Sequence, residues 1–139
     1  MSMLNIFNVS GSAASAQSQR LNVVASNLAN VDTVAGPNGQ AYKARQVTFQ
    51  TQPMGANAND ATAAGVTVST ISENQAAGRR VHDPKHPSAD ADGYVTYSNV
   101  NAIEEMVNMI SASRSYQNNV EVMNTAKSLL LKTLQMGQS

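Results

Sequence analysis

Two long segments with helical periodicity lie at the two ends of this 139-residue chain, and they limit what it can fold into. They cover residues 5–30 and 102–136, and little between them could build an independent core. In the second segment, positions three and four residues apart share one face. These positions are Met106, Met109, Ser113, Tyr116, Val120, Met123, Lys127, Leu130 and Leu134, with Ile110 widening the stripe. Asn101 followed by Glu104 is typical of a helix start, because both side chains can bond free backbone N–H groups.

The first segment has a weaker stripe, in which small and polar residues separate the apolar ones. Its members are Ile6, Ser10, Ala13, Gln17, Leu21, Val24, Leu28 and Val31. We expect the two segments to pair as a coiled-coil hairpin over residues 1–33 and 100–139. The expected seam sets Leu21, Val24 and Leu28 of the first segment against Val120, Met123, Leu130 and Leu134 of the second.

The middle of the chain, residues 34–99, reads as loops with a few short strands. Gly36-Pro37-Asn38-Gly39 is a strong turn signal, and residues 52–65 have little apolar bulk and read as a flexible loop. Strand candidates are residues 42–51, 66–71 and 94–97. The sequence therefore predicts a mainly α fold, with long terminal helices paired as a coiled-coil hairpin and a small, loop-rich middle containing β-strands.

The composition excludes several classes of function. Nine basic and nine acidic residues balance, only 13% of the chain is charged, and no basic patch favours nucleic acid. No apolar run approaches the roughly 18 residues of a membrane span. The N-terminus lacks basic residues before Arg20 and a compact apolar stretch, so we expect no cleavable secretory signal. The chain contains no cysteine, and nothing in it indicates a cofactor.

One cluster could be interpreted as a metal site. His82, His86 and Asp90 are ligand types within a short segment that also holds other carboxylates. The spacing of the histidines would suit one face of a helix, but Pro84 and Pro87 forbid a helix there. We therefore expect an ordered structural loop, and we keep a metal-dependent enzyme only as an alternative that elemental analysis would reveal.

The end of the first helical segment resembles the N-terminal signature of bacterial flagellar axial proteins, which include rod, hook and hook-associated proteins. The signature runs over residues 21–33, and its shared element is the Asn-x-x-Asn of Asn27 and Asn30. Two later blocks, residues 82–95 and 105–119, with Asn99-Val100-Asn101 between them, are similar to the FlgC family of proximal-rod proteins. Tyr97-Ser98 departs from this pattern, since such proteins often have a proline before the Asn-Val-Asn.

The resemblance implies a structural subunit of the flagellar basal-body rod, the drive shaft that transmits torque and encloses the export channel. Implied partners are copies of itself, FlgB, FlgF and FlgG-like rod subunits, a FliE-like junction protein, the MS-ring region and the flagellar type III apparatus, which exports such proteins without signal cleavage. The residues expected to carry helix packing and assembly are Leu21, Val24, Asn27, Leu28, Asn30, Met106, Ile110, Tyr116, Val120, Met123, Leu130 and Leu134. The alternative is a soluble coiled-coil adaptor that binds partner helices.

Overall fold

The computed structural model describes residues 3–54 and 63–138, which form two long helices and four strands. The elements in chain order are α1 (Met3–Ala29), β1 (Arg45–Pro53), β2 (Ala64–Glu73), β3 (Arg80–His82), β4 (Tyr94–Thr96) and α2 (Ala102–Gly137). α2 begins where the sequence signals it, because Oδ1 of Asn101 accepts hydrogen bonds from the N–H groups of Ile103 and Glu104. Glu104 and Glu105 add negative charge at the positive end of the helix dipole.

The two helices pack antiparallel. The end of α1 meets the start of α2, where Asn27 donates to Glu105, and Gly11 near the start of α1 faces Met123. The expected seam between Leu21, Val24 or Leu28 and the second half of α2 is therefore wrong in its pairing. In an antiparallel pair those α1 residues lie beside the first turns of α2.

Small side chains form the buried part of this seam. The buried residues of α1 are Ser10, Ala14, Ala16, Val24 and Asn27, and those of α2 are Glu105, Ala112 and Ala126. Small residues let two helix backbones approach closely, but they remove little apolar area from water. The helix pair therefore depends on close backbone approach and on polar contacts more than on a large core.

A long β-hairpin lies against α1. β1 and β2 pair antiparallel from Arg45–Glu73 to Pro53–Ala64, with an irregularity between Thr48 and Phe49. The hairpin is tied to the helix at Ser12, whose Oγ accepts from the N–H of Val66 at 3.0 Å and donates to the carbonyl of Val9. The predicted loop at 52–65 is thus strand at both ends, and residues 55–62 lie outside the described residues.

A second, smaller sheet follows the hairpin in the chain and precedes α2. β3 and β4 pair antiparallel, and a single bridge between Val34 and Tyr97 adds a third stretch beside β4. Val95 of β4 is fully buried. β3 is not among the strands predicted from the sequence, because a three-residue strand is too short to display an alternating pattern.

The mainly α prediction is wrong. The described residues are 49% helix and 21% strand, so a helical pair and a substantial β part share the fold. The physical reason is the β-branched and aromatic content of the middle: Val47, Thr48 and Phe49 in β1 face the run of Val, Thr and Ile in β2. The two strands pair with each other over nine positions, and α1 provides the surface on which the hairpin packs.

Two glycines give a matched test of this packing. A Cβ on Gly65 would collide with the Met54 side chain and with Ser12 Oγ, whereas a Cβ on Gly11 would meet nothing closer than Met123 Cε at 4.0 Å. We expect Gly65→Ala to destabilise the fold by about 1 kcal/mol, because the Met54 side chain must turn away and Ser12 Oγ must move from its hydrogen bond with Val66. Gly11→Ala should stabilise it by about 0.5–1 kcal/mol through helix propensity. Urea denaturation measures the free energy of unfolding of both variants. Equal effects of the two substitutions would contradict the described packing of the hairpin on α1.

Candidate assembly interface

One buried carboxamide joins three elements of the fold. Asn27, at the end of α1, is 0% exposed. Its Nδ2 donates to the carbonyl of Arg45 at 2.8 Å and to Oε2 of Glu105 at 3.1 Å. Its Oδ1 accepts from the N–H of Arg45 and from the hydroxyl of Tyr42, both at 2.9 Å. Asn27 therefore uses all four of its hydrogen-bonding positions to connect α1 with β1 and α2, and we call this set of contacts the Asn27 node.

The carboxylate in the node is itself buried. Glu105 is only 9% exposed and sits in the first turn of α2, where the helix dipole favours a negative charge. One turn further along, Nη2 of Arg20 donates to Oδ1 of Asn108 at 3.1 Å, which adds a second polar contact between the helices. The start of α2 is thus attached to the end of α1 by hydrogen bonds.

Further asparagines hold the segments around the node. Asn30 closes the end of α1, since its Nδ2 donates to the carbonyl of Ser26 at 2.8 Å. Asn99 accepts from the N–H of Ala44 at 2.6 Å and donates to the carbonyls of Asn74 and Ala76. Backbone groups in connecting segments have no partner in a helix or strand, and these asparagine side chains supply the missing hydrogen bonds. The bonds of Asn99 thereby hold the segment before β1 close to the segment before α2.

Ser98, in the segment just before α2, also bonds a backbone group through its side chain. This buried residue donates from Oγ to the carbonyl of Val31 at 2.8 Å, and it stands at the position where the sequence departs from the resembling family. A proline there would have no hydroxyl to make this contact.

The α1 residues singled out from the sequence lie near the node. Val24 and Asn27 are buried, while Leu21, Leu28 and Asn30 are partly exposed. On α2, Val120, Met123 and Leu130 are partly exposed, and Met106, Ile110, Tyr116 and Leu134 are exposed. The contact stripe of α2 includes Glu105, Ala112 and Ala126, so at these points it lies one residue before the predicted positions 106, 113 and 127.

That offset leaves large apolar side chains on the outside of α2. The first cluster, which we call the proximal patch, consists of Ile103, Met106, Val107 and Ile110, with exposed fractions of 76%, 55%, 62% and 57%. Further along α2, Val122 and Leu129 line an apolar groove of about 460 Å³ together with Met3 and Ile6 of α1; we call it the distal groove. On α1, Leu4 is the large apolar side chain that is exposed in the described part of the chain.

The β3–β4 loop contains the residues of the metal alternative and gives them structural roles. Oδ1 of Asp90 accepts from the N–H groups of Tyr94 at 2.8 Å and Asp92 at 3.0 Å, and Arg80 pairs with its other oxygen at 3.0 Å. His82 packs edge-on against the Tyr94 ring, with 5.0 Å between ring centroids. In residues 3–54 and 63–138, no group of three or more His, Asp or Glu is placed to hold a metal ion.

The sequence did not reveal Tyr42, Glu105 or the backbone of Arg45 as partners of Asn27. Glu105 lies outside the predicted apolar stripe of α2, and a backbone contact leaves no trace in side-chain patterns. The available signal was the Asn-x-x-Asn element itself, because an asparagine on the apolar face of a helix needs buried partners.

In the described residues, no helix has an apolar stretch long enough to cross a bilayer.

Comparison with known proteins gives concordant matches at both ends of the chain. Residues 7–37 match the family described as "Flagella basal body rod protein", and residues 91–136 match "Flagellar basal body rod FlgEFG protein C-terminal". The chain is 59% identical to a "Flagellar basal-body rod protein FlgC" from Yersinia enterocolitica over 138 residues, covering 99% of this chain and 100% of the relative. Proteins of the same name from Escherichia coli O157:H7 and Salmonella typhi are 56% and 54% identical over the same shares.

The Asn27 node predicts a large effect from a nearly isosteric change. In Asn27→Asp an oxygen replaces Nδ2, so the carbonyl of Arg45 and the carboxylate of Glu105 each lose their donor. We expect a loss of roughly 2–6 kcal/mol in the free energy of unfolding at neutral pH, at about 1–3 kcal/mol for each unsatisfied buried group. Asn22→Asp, at an exposed position of the same helix, should stay within about 0.5 kcal/mol. Similar losses for both variants in urea denaturation would contradict the node.

The loop also predicts a pH dependence. The backbone hydrogen bond from Tyr94, followed by the bond from Asp92 and the Arg80 guanidinium, holds the pKa of Asp90 below the ordinary value of an aspartate carboxyl. Because the folded state favours the ionised form, the loop bonds contribute fully to the stability of the fold at neutral pH. Their contribution is lost as the pH falls through the lowered pKa. An NMR titration should show the Asp90 carboxyl and the Tyr94 amide changing together, with a midpoint below the pKa of an unperturbed aspartate. A midpoint at or above that value would be inconsistent with these bonds.

Proposed function

This chain belongs to the FlgC family of flagellar basal-body rod proteins and is a structural subunit of the rod, and from this premise we propose that the outward face of α2 joins it to neighbouring subunits. Through these contacts it would assemble with copies of itself and with other rod proteins. The resulting shaft would transmit torque and enclose the export channel. We infer a structural role without catalysis.

The observation that carries this proposal is the distribution of exposed apolar side chains. Large apolar residues on a monomer's surface normally occur singly, but α2 carries the proximal patch at its start and Leu131, Leu134 and Met136 exposed at its end. Full burial of one such side chain contributes about 1.5–3 kcal/mol. These side chains are already partly covered in the monomer, so each can contribute only a part of this energy when another surface covers it, and the chain gains stability by association.

The low charge of the chain favours the same conclusion. Only 13% of the residues are charged and the net charge is zero, so little electrostatic repulsion opposes packing of copies side by side. Uncharged polar residues on the outside of α1, such as Ser15, Gln19 and Asn22, can enter an interface without the cost of desolvating ions.

The placement of the apolar surfaces suits an open assembly. The proximal patch and the distal groove are different surfaces, separated by about 28 Å along α2 at 1.5 Å per residue. A contact between two different surfaces is heterologous, and heterologous contacts that do not close into a ring generate helical assemblies. A rod requires this kind of contact.

Family membership further supports the location and the partners we propose. The chain would lie in the basal body, in the part of the rod that spans the periplasm. Its neighbours would be FlgB, FlgF and FlgG-like subunits, a FliE-like junction protein and the MS-ring region. The flagellar type III apparatus would export it without removal of a signal peptide.

A charge in the proximal patch tests the assembly surface directly. Val107 is 62% exposed, so Val107→Asp should leave the unfolding midpoint of the isolated chain unchanged. In the rod the carboxylate would be desolvated without a partner, and we expect loss of swimming in cells that lack their own copy of this subunit. Gln117→Asp, an equally exposed change on the same helix, is the control. Normal swimming with Val107→Asp would argue against α2 as the interface and favour a soluble adaptor.

Leu130→Asp tests the other end of α2, where the side chain is partly buried beside the start of α1. We expect this variant to lose both rod assembly and stability of the isolated chain, since the charge enters the intrachain contact as well. Swimming tests combined with urea denaturation separate it from Val107→Asp. Normal motility of the Leu130→Asp strain would refute the packing assigned to this end of α2.

A further inference from the structure

We propose that Asn38 is a site of spontaneous covalent modification, where the backbone nitrogen of Gly39 attacks the carboxamide and converts the residue to aspartate or isoaspartate. The fold controls the rate, because a turn hydrogen bond holds the same nitrogen and must open before the reaction. The inference concerns the chemistry of the chain itself and goes beyond its assembly into a rod.

Asn38 is the only asparagine in the sequence that is followed by glycine. A side chain on the following residue shields the carboxamide carbon from the backbone nitrogen, whereas glycine leaves the approach open and the backbone free to turn. Both residues are exposed. A Cβ on Gly39 would meet no atom of the described residues within 4 Å, apart from its chain neighbours. Water therefore reaches the pair without obstruction.

The turn formed by residues 36–40 restrains the attacking nitrogen. The N–H of Gly39 donates to the carbonyl of Gly36 at 2.9 Å, and the N–H of Gly36 donates to the carbonyl of Gln40 at 3.3 Å. Pro37 presets the backbone at the second position of the turn, and Gly39 adopts a left-handed conformation with φ of 72°. The proton that the nitrogen must lose for the attack is thus held against Gly36.

The carboxamide of Asn38 is polarised within the same turn. Its Oδ1 accepts from the N–H of Gln40 at 3.2 Å, and this donor would stabilise the negative charge that develops on the oxygen during attack. Asn74 has the same arrangement, because its Oδ1 accepts from the N–H of Ala76, two residues further on, at 2.9 Å. Since Gln75 follows Asn74, that site has the donor and lacks the glycine, which makes it a matched comparison.

The reaction needs only hydroxide and water as co-reactants. When the turn opens, the nitrogen of Gly39 gives its proton to hydroxide and forms a bond to Cγ of Asn38. The bond between Cγ and Nδ2 breaks, and Nδ2 takes up a proton and leaves as ammonia. Water then opens the five-membered imide at one of its two carbonyls. Opening at Cγ gives aspartate, and opening at the main-chain carbonyl gives isoaspartate, whose peptide link runs through Cγ.

Either product changes the turn. The new carboxylate adds a negative charge to a chain whose formal net charge is zero. Isoaspartate also lengthens the backbone by one carbon, which disturbs the spacing on which the two turn bonds depend. The change occurs beside the small sheet, because the N–H of Ala35 donates to the carbonyl of Thr96 at 2.8 Å. Modified chains therefore record the time during which the turn has been open.

Mass spectrometry of peptides from aged rods measures the reaction at each asparagine. Rods purified from swimming cells are kept in mildly alkaline buffer, one half intact and the other half dissociated in guanidinium chloride. In the dissociated chains, Asn38 should convert at least about tenfold faster than Asn74, because glycine leaves the carboxamide carbon open. In intact rods, Asn38 should convert about tenfold more slowly than in guanidinium chloride, since opening the turn costs about that factor.

Two variants assign these effects to the glycine and to the turn. Gly39→Ala should slow the conversion of Asn38 by about tenfold in guanidinium chloride, where the turn is absent. Pro37→Gly loosens the turn and leaves the reacting pair unchanged. It should raise the rate in intact rods toward the rate in guanidinium chloride, and it should leave the latter within about twofold of the natural chain.

Each contrary result overturns a defined part of the proposal. Equal rates at Asn38 and Asn74 in guanidinium chloride, or an unchanged rate in Gly39→Ala, overturn the modification site. Equal rates at Asn38 in intact and dissociated rods overturn the control by the fold. A rate in intact rods that Pro37→Gly does not change assigns the protection to subunit packing and overturns the role of the turn. If Pro37→Gly does not assemble, the comparison of intact with dissociated natural rods decides the matter.

Discussion

The antiparallel contact between α1 and α2 is the constraint on which the rest of this structure depends. Alanines bring the two helix backbones together, but they bury little apolar area. The Asn27 node adds four directional hydrogen bonds, which link the end of α1 to Tyr42, to β1 and to α2. The position of the β-hairpin, and of the segments held by Asn99 and Ser98, follows from this arrangement.

The same choice of small residues for the intrachain seam explains the outer surface. Helices that pack through alanines leave little room inside the pair for the large apolar side chains that α2 also carries, and Met123 and Leu130 are only partly buried there. Many of the others face outward, from Ile103 near the start of the helix to Met136 near its end. A subunit of this kind is folded by polar contacts and close backbone approach, while its large apolar residues remain for contacts between subunits.

Part of this structure could be predicted from the sequence. Residues 21–33, 82–95 and 105–119 indicated the family, and FlgC relatives matched over their whole length confirm it. The start of α2 at Asn101 followed from local capping chemistry. The mainly α fold class was wrong because β1 and β2 are stable only as a pair on α1, which is a nonlocal property. The stripe predicted for α2 lies one residue away from several of its buried positions. The heptad pattern was traced through large apolar residues, whereas the contact with α1 is made mostly by small ones. The partners of Asn27 could not be foreseen, since two of its four bonds go to a backbone that folding brings close.

Thiol accessibility on α2 in assembled rods tests most directly whether this outward face is where subunits meet. Single cysteines placed at Val107 or Ile110 in the cysteine-free chain should react rapidly with a maleimide in the unassembled protein, where both side chains are exposed. In rods purified from swimming cells, the same positions should be protected from the reagent. Equal labelling in the rod and in the unassembled chain would contradict the account.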